Sequence, residues 1–176
     1  MRILILTCLI LLTACAGPSP QDYAGFGPEL VPSEFFLGDL RAHGVIKDRR
    51  GKVIRYFSAD IKASWTDGVG TLDENFVFND GATERRIWTL TPTSNGGYGA
   101  NAGDVVGVGK LEHQGNSIFL DYVLRVPYGN DSIDVSVDDR MYLVAPGVLI
   151  NESVMQKFGF EVGSILLVIR RLGDQG

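Results

Sequence analysis

A two-residue alternation of apolar and polar side chains dominates this sequence and restricts it to β-structure. The alternation is clearest in residues 53–65, 117–126 and 132–144, where nearly every second position is apolar. Successive side chains along a strand point to opposite faces of the sheet, so each segment is typical of a strand with one buried and one solvated face. No long stretch beyond the N-terminal region shows a helical period. The sequence therefore predicts an all-β domain.

Turn sequences separate the alternating segments and indicate how the strands connect. They combine Gly with Asn, Asp or Pro, as at Asp67-Gly68, Asn79-Asp80-Gly81 and Pro146-Gly147. Short links place consecutive strands side by side, and closing the sheet hides its edges. We predict a single antiparallel, mostly up-and-down barrel of about ten strands, lipocalin-like or calycin-like. An open barrel or a β-sandwich is the alternative.

The N-terminus is typical of an exported protein. Residues 3–12 form an apolar run that is too short to span a bilayer as a helix. The run ends in Leu12-Thr13-Ala14-Cys15, which resembles the lipobox of bacterial lipoproteins. The resemblance implies that residues 1–14 form a signal peptide and that Cys15 is lipidated, so that a lipid anchor attaches the protein to a membrane.

Residues 15–32 are predicted to form the lipidated N-terminus and a flexible tether, followed by the all-β domain over 33–176. The tether is rich in Gly and Pro, which disfavour both helix and strand. Ala16 stands where the sorting pattern of enterobacterial lipoproteins has Asp for inner-membrane retention. For a Gram-negative source, this resemblance implies a lipid-anchored protein in the cell envelope, at the periplasmic face of the outer membrane.

Composition and motifs argue against several classes of function. The formal net charge is −5 and no basic run is present, so a nucleic acid is not expected as a partner. The two histidines, His43 and His113, lack zinc-ligand spacing. Neither a Gly-x-Ser-x-Gly elbow nor a phosphate-binding loop occurs. We therefore predict no metal, no cofactor, no catalytic residue and no enzymatic activity.

Two charged residues occupy positions that their strands otherwise reserve for apolar side chains. These are Arg55 and Asp139. A charge buried alone is costly, so we predict that the two approach each other or share a polar network inside the barrel, unless a bulge breaks the local register. Several aromatic residues either line a small pocket or fill the core. The candidate ligand-binding residues are Arg55, Trp65, Trp88, Tyr122, Asp139 and Tyr142.

Six sequence blocks, in their order along the chain, resemble the bacterial lipoprotein family catalogued as domain of unknown function 3833. The blocks are residues 74–81, 86–88, 102–108, 138–143, 149–151 and 157–163. The resemblance runs from the lipobox to Arg171. It implies an envelope location, and it links the chain by association with enzymes that modify fatty-acyl lipids, without naming a reaction.

Three functions are compatible with these features. The first is an envelope protein that binds a lipid or a small apolar ligand. The second is a non-catalytic envelope module that binds a partner protein. The third is an accessory protein or an enzyme in fatty-acyl lipid modification.

Overall fold

Antiparallel strands joined by short turns make up most of the computed structural model, which describes residues 17–173. In these residues, the strands are β1 (Gly38–Asp48), β2 (Val53–Thr66), β3 (Val69–Phe78), β4 (Thr83–Pro92), β5 (Tyr98–Asn101), β6 (Gly109–Gln114), β7 (Ser117–Tyr128), β8 (Asp131–Ala145), β9 (Val148–Lys157) and β10 (Phe160–Arg171). Each strand pairs with its neighbours in sequence, and β10 pairs with β1 to close the barrel. The predicted all-β, up-and-down barrel is confirmed, and the open barrel and the sandwich are wrong.

The predicted turn chemistry is visible in the tightest hairpin. Between β2 and β3, Asp67 and Gly68 adopt φ angles of 51° and 78°. A two-residue turn with positive φ at both positions matches the right-handed twist of the flanking strands, and Asp and Gly tolerate it best. The alternation then continues without a slip, because Trp65 pairs with Gly70 and Thr66 with Val69.

Two short strands leave the barrel wall incomplete on one side. β5 pairs with β4 only over residues 89–92, and β6 pairs with β7 only over residues 117–121. On this side, the first half of β4 therefore has no neighbouring strand, and neither has the second half of β7, whereas on their other sides they pair with β3 and β8. The connection from β5 to β6 covers part of this gap, because Val105 forms an isolated bridge to Leu124.

The N-terminal segment closes one end of the barrel. It contains a 3-10 helix (Pro20–Tyr23) and a one-turn helix, α1 (Pro32–Phe35). Leu30 is 0% exposed, and its backbone N–H donates to the carbonyl oxygen of Gly115 at 2.7 Å. Phe35 and Phe36 are also buried and belong to the same apolar core. No described helix has the length and apolarity needed to cross a bilayer.

This docking differs from the expectation of a flexible tether that continues to residue 32. The ring of Tyr23 packs against Phe119 and Tyr142, with centroid distances of 5.7 and 5.4 Å. Glycine is required at position 115, because a Cβ there would lie 1.8 Å from the carbonyl oxygen of Tyr23. Gly and Pro prevented a regular element in this segment, but they did not prevent irregular packing against the barrel.

Candidate functional site

A cavity of about 400 Å³ lies inside the barrel. Most of its wall is apolar, and it runs from Phe36 beside the N-terminal segment to Pro127 and Met155 towards the opposite end. Barrel diameter grows with strand number, so a barrel with more than eight strands leaves interior space that side chains do not fill. The volume lies in the range of roughly 300–1,000 Å³ that small-molecule sites occupy.

The edge of the cavity lies where β4 and β7 separate. Glu84, Arg85 and Asp104 line it there on one side, and Val126 and Pro127 line it on the other. The connection from β5 to β6 lies in the gap on this side, where Asp104 binds Arg86 and Val105 bridges to Leu124. Glu84 and Pro127 are exposed and lie near the ends of their strands, so the cavity approaches solvent at the barrel end opposite the N-terminal segment.

Polar side chains form a group at mid-height in the otherwise apolar wall. Glu74 on β3 lies directly opposite Arg86 on β4, and both line the cavity. On the other side, Asp139 of β8 pairs with Ser153 of β9, beside Asn151. The alternation of each strand turns these residues inward, so a ligand in the cavity would meet apolar surface and a few hydrogen-bonding groups.

Arg86 is held by a carboxylate from the connection between β5 and β6. Its Nε donates to Oδ1 and Oδ2 of Asp104 at 3.1 and 3.0 Å, and its Nη2 donates to Oδ2. The two side chains are 24% and 38% exposed. This ion pair spans the gap beside β4 and neutralises the guanidinium.

Glu74 lacks such a partner, and its environment favours the protonated form. Burial raises the pKa of the Glu74 carboxyl to about 7, because the charged form is poorly solvated inside the barrel. Arg86 lowers this pKa, the negative charge of Asp139 raises it, and a hydrogen bond from Trp88 lowers it. At neutral pH, Glu74 therefore populates both the carboxylic acid and the carboxylate.

The carboxyl group of Asp139 is buried, and one of its two oxygens accepts hydrogen bonds from neighbouring side chains. Its Oδ1 accepts hydrogen bonds from the Nδ2 of Asn151 and from the Oγ of Ser153, the latter at 2.7 Å. Burial raises the pKa of Asp139, and the two hydrogen bonds oppose that shift. Burial also raises the pKa of Tyr122, as does the nearby charge of Asp139, so the phenol stays neutral.

Arg55 and Asp139 both face inward, as predicted, but the prediction that they approach each other or share a polar network is wrong. The Nε and Nη2 of Arg55 donate to Asp80 at 3.0 and 3.1 Å, and Nη1 lies 3.5 Å from Glu84. The guanidinium also stacks over the ring of Phe78, at 3.4 Å from the centroid. Arg55 therefore pairs with the β3–β4 hairpin, at the end of the barrel opposite the N-terminal segment.

Of the other four predicted ligand-binding residues, two line the cavity and two do not. Trp88 and Tyr122 line the cavity and contact each other edge to face, with centroids 5.3 Å apart. Trp65 lies at the closed end, where its Nε1 donates to the carbonyl oxygen of Phe36 at 2.6 Å. Tyr142 lies outside the barrel against Tyr23. Cys15 falls outside the described residues.

Four wall residues were not predicted from the sequence: Glu74, Arg86, Asn151 and Ser153. Glu74 and Arg86 could have been found in the same way as Arg55, because each is a charged residue at a position that its strand otherwise fills with inward-facing apolar residues. Asp104 carried no such signal, since it lies in a connection rather than in an alternating strand. Among residues 17–173, no group of three or more His, Cys, Asp or Glu side chains is arranged to hold a metal ion.

Solved structures with a similar fold support the assignment of the barrel class. The S-type phycobiliprotein lyase CPES from Guillardia theta matches with a TM-score of 0.55 and 10% sequence identity, over 81% of this chain and 91% of the lyase. A protein of unknown function from the DUF3598 family of Nostoc punctiforme matches with a TM-score of 0.52 and 16% identity, over 82% of this chain and 51% of that protein. The lipocalin-like fold is thus confirmed.

Sequence comparison identifies the family. No curated protein matches the chain at a significant level. A family model described as a protein of unknown function, DUF3833, matches residues 9–171, which include all ten strands among the described residues. The chain therefore belongs to the DUF3833 family.

Proposed function

We propose that this protein binds a small, largely apolar ligand inside its barrel and does so without catalysing a reaction. The observation that carries the proposal is the cavity of about 400 Å³, whose wall is mostly apolar and contains a compact polar group. Cavities of this kind are the usual form of small-molecule sites, where apolar surface supplies affinity and a few polar groups fix orientation. A lipid chain with a polar end has matching chemistry.

The arrangement of the polar wall residues favours binding over catalysis. In the described wall, Asp139 accepts bonds from Asn151 and Ser153, and Arg86 is engaged by Asp104. Nucleophilic catalysis requires a nucleophile beside a base that a third group orients. No described histidine or lysine lines the cavity to act as such a base, and Ser153 and Asn151 both donate to the same oxygen of Asp139, an arrangement that stabilises a buried carboxyl group in the wall.

A bulky side chain placed in the cavity should block ligand binding. Met155 lines the open half of the cavity, whereas its neighbour Val154 points to the other face of β9. In a fluorescence titration with Nile red, a neutral apolar probe, we expect saturable binding to the parent protein. Met155→Trp should weaken binding at least tenfold, and Val154→Trp should leave it unchanged. Absence of saturable binding, or equal binding to both variants, would contradict the proposal.

The proposal includes attachment of the protein to a membrane by lipid on Cys15, at the periplasmic face of the outer membrane. The lipobox-like sequence before Cys15 supports it. Residues 16–19 separate Cys15 from the 3-10 helix (Pro20–Tyr23), whose Tyr23 packs against the barrel. Four extended residues span only about 14 Å, so the anchored barrel would stay close to the bilayer surface.

Substitution of the two cysteines tests the anchor. In a Gram-negative host, Cys15→Ser should reduce incorporation of radiolabelled palmitate to background, because the acylated thiol is lost. Cys8→Ser, which changes the other cysteine of the chain, should retain the label. Labelling that persists in the Cys15→Ser variant would refute lipidation at this position.

A further inference from the structure

We propose that the cavity selects apolar ligands whose polar end donates hydrogen bonds or carries positive charge, and that it discriminates against carboxylates. This inference rests on the proposed binding function and specifies its ligand class. The observation that carries it is the charge arrangement of the wall: among the described residues, Glu74 and Asp139 form no ion pair within 4 Å, while each of the three wall arginines pairs with a carboxylate. Long-chain alcohols and amines fit this arrangement, whereas fatty-acid anions do not.

Each arginine of the described wall is already paired with an acid. Arg55 binds Asp80, and Arg86 binds Asp104 through two of its nitrogens. The third, Arg85, forms a two-point contact with Asp73, at 2.8 Å for both bonds. A ligand carboxylate would have to compete with a bidentate carboxylate partner for any of these cations, and such bidentate pairs are strong.

The two remaining carboxyl groups offer acceptor atoms to a ligand. Both hydrogen bonds to Asp139 reach Oδ1, which leaves Oδ2 available at the cavity. Glu74 lines the same cavity and forms no ion pair within 4 Å among the described residues. An alcohol or an ammonium group can donate to these oxygens, and an ammonium group also gains from the negative charge.

A carboxylate ligand would introduce a further negative charge into this space. Like charges repel more strongly inside a protein than in water, because the effective dielectric constant is lower. The groups facing Glu74 are Arg86 and Trp88 on β4, Tyr122 on β7, Asp139 on β8 and Asp104 from the connection. Arg86 is the cation among them, and Asp104 neutralises it. At pH 8, where Glu74 is mostly ionised, the discrimination should therefore be strong.

A series of ligands with the same chain and different ends tests the inference. Dodecylamine, 1-dodecanol and dodecanoate are used to displace Nile red from the full-length protein at pH 8, below the concentrations at which they aggregate. We expect the amine and the alcohol to displace the probe at concentrations at least tenfold lower than dodecanoate. Equal potency of the three ligands, or higher potency of dodecanoate, would overturn the inference while leaving the binding function intact.

Substitutions of two glutamates test whether Glu74 is responsible for the preference for amines over carboxylates. Glu74→Gln removes the charge but keeps the size of the side chain, and it should reduce the preference for amine over carboxylate at least threefold. Glu152→Gln, at an exposed position on β9, should leave the preference unchanged. An equal preference in Glu74→Gln and the parent would overturn the role of Glu74. Failure of Nile red and all three ligands to bind would instead refute the binding function itself.

Discussion

Replacement of Leu30 by Ala is expected to lower the free energy of unfolding by about 3 kcal/mol. Leu30 is 0% exposed and belongs to the main apolar core, although it precedes the first strand. Truncation to Ala removes buried apolar atoms and leaves a cavity at the closed end of the barrel. The loss can be measured by urea denaturation at constant pH.

Leu37→Ala is the matched control for this prediction. It removes the same atoms from a side chain in the same segment that is 49% exposed. Surface substitutions usually change stability by less than about 0.5 kcal/mol. Similar small effects of both substitutions would show that the N-terminal segment does not contribute to the folded core.

The fold was predictable because the information for it is local and repeated. Alternation fixes which face of each strand is buried, and short turns fix which strands are neighbours. Ten strands in sequence order then have one simple closed arrangement. The docking of Leu30 was not predictable in the same way, because it depends on one side chain meeting the end of the assembled barrel rather than on a repeated pattern.

The composition of the cavity wall was only partly predictable, for a related physical reason. The alternation correctly turned Arg55 and Asp139 inward, but it carried no information on height along the barrel or on distance across it. The partner of Arg55 is Asp80, which belongs to the β3–β4 hairpin beside β2. A contact of this kind depends on strand register, which becomes known only when the whole sheet is assembled.

Aromatic residues show the same limit. Trp65 and Trp88 both face the interior of the barrel, and their sequence contexts are similar. Trp65 is used at the closed end, where Phe36 accepts its N–H, while Trp88 reaches the cavity. The difference comes from the N-terminal segment, which enters one end of the barrel and not the other. Alternation correctly placed both tryptophans in the interior, and the N-terminal segment at the closed end determines that only Trp88 of the two lines the cavity.

Because Glu74 is buried in the wall, the free energy of unfolding should depend on pH, and the Glu74→Gln variant should lack this dependence. The pKa of Glu74 is about 7 in the folded protein, compared with a reference value of 4.5. Between these values the folded state retains a proton that the unfolded state has released. Stability should therefore fall as the pH rises from 4.5 to 7, and remain low above it. Asp139, whose pKa is also raised, acts in the same direction.

We expect the parent protein to lose about 2 kcal/mol more stability than Glu74→Gln between about pH 5 and about pH 8, since each unit of pKa difference corresponds to about 1.4 kcal/mol. The amide is neutral at both values, so burying it requires no proton. At pH 8 the variant should consequently be more stable than the parent in urea denaturation. Glu152→Gln should follow the parent at both pH values, because Glu152 is exposed. Parallel pH dependence of the parent and Glu74→Gln would mean that the Glu74 carboxylate is well solvated inside the barrel, and that the cavity holds water at this height.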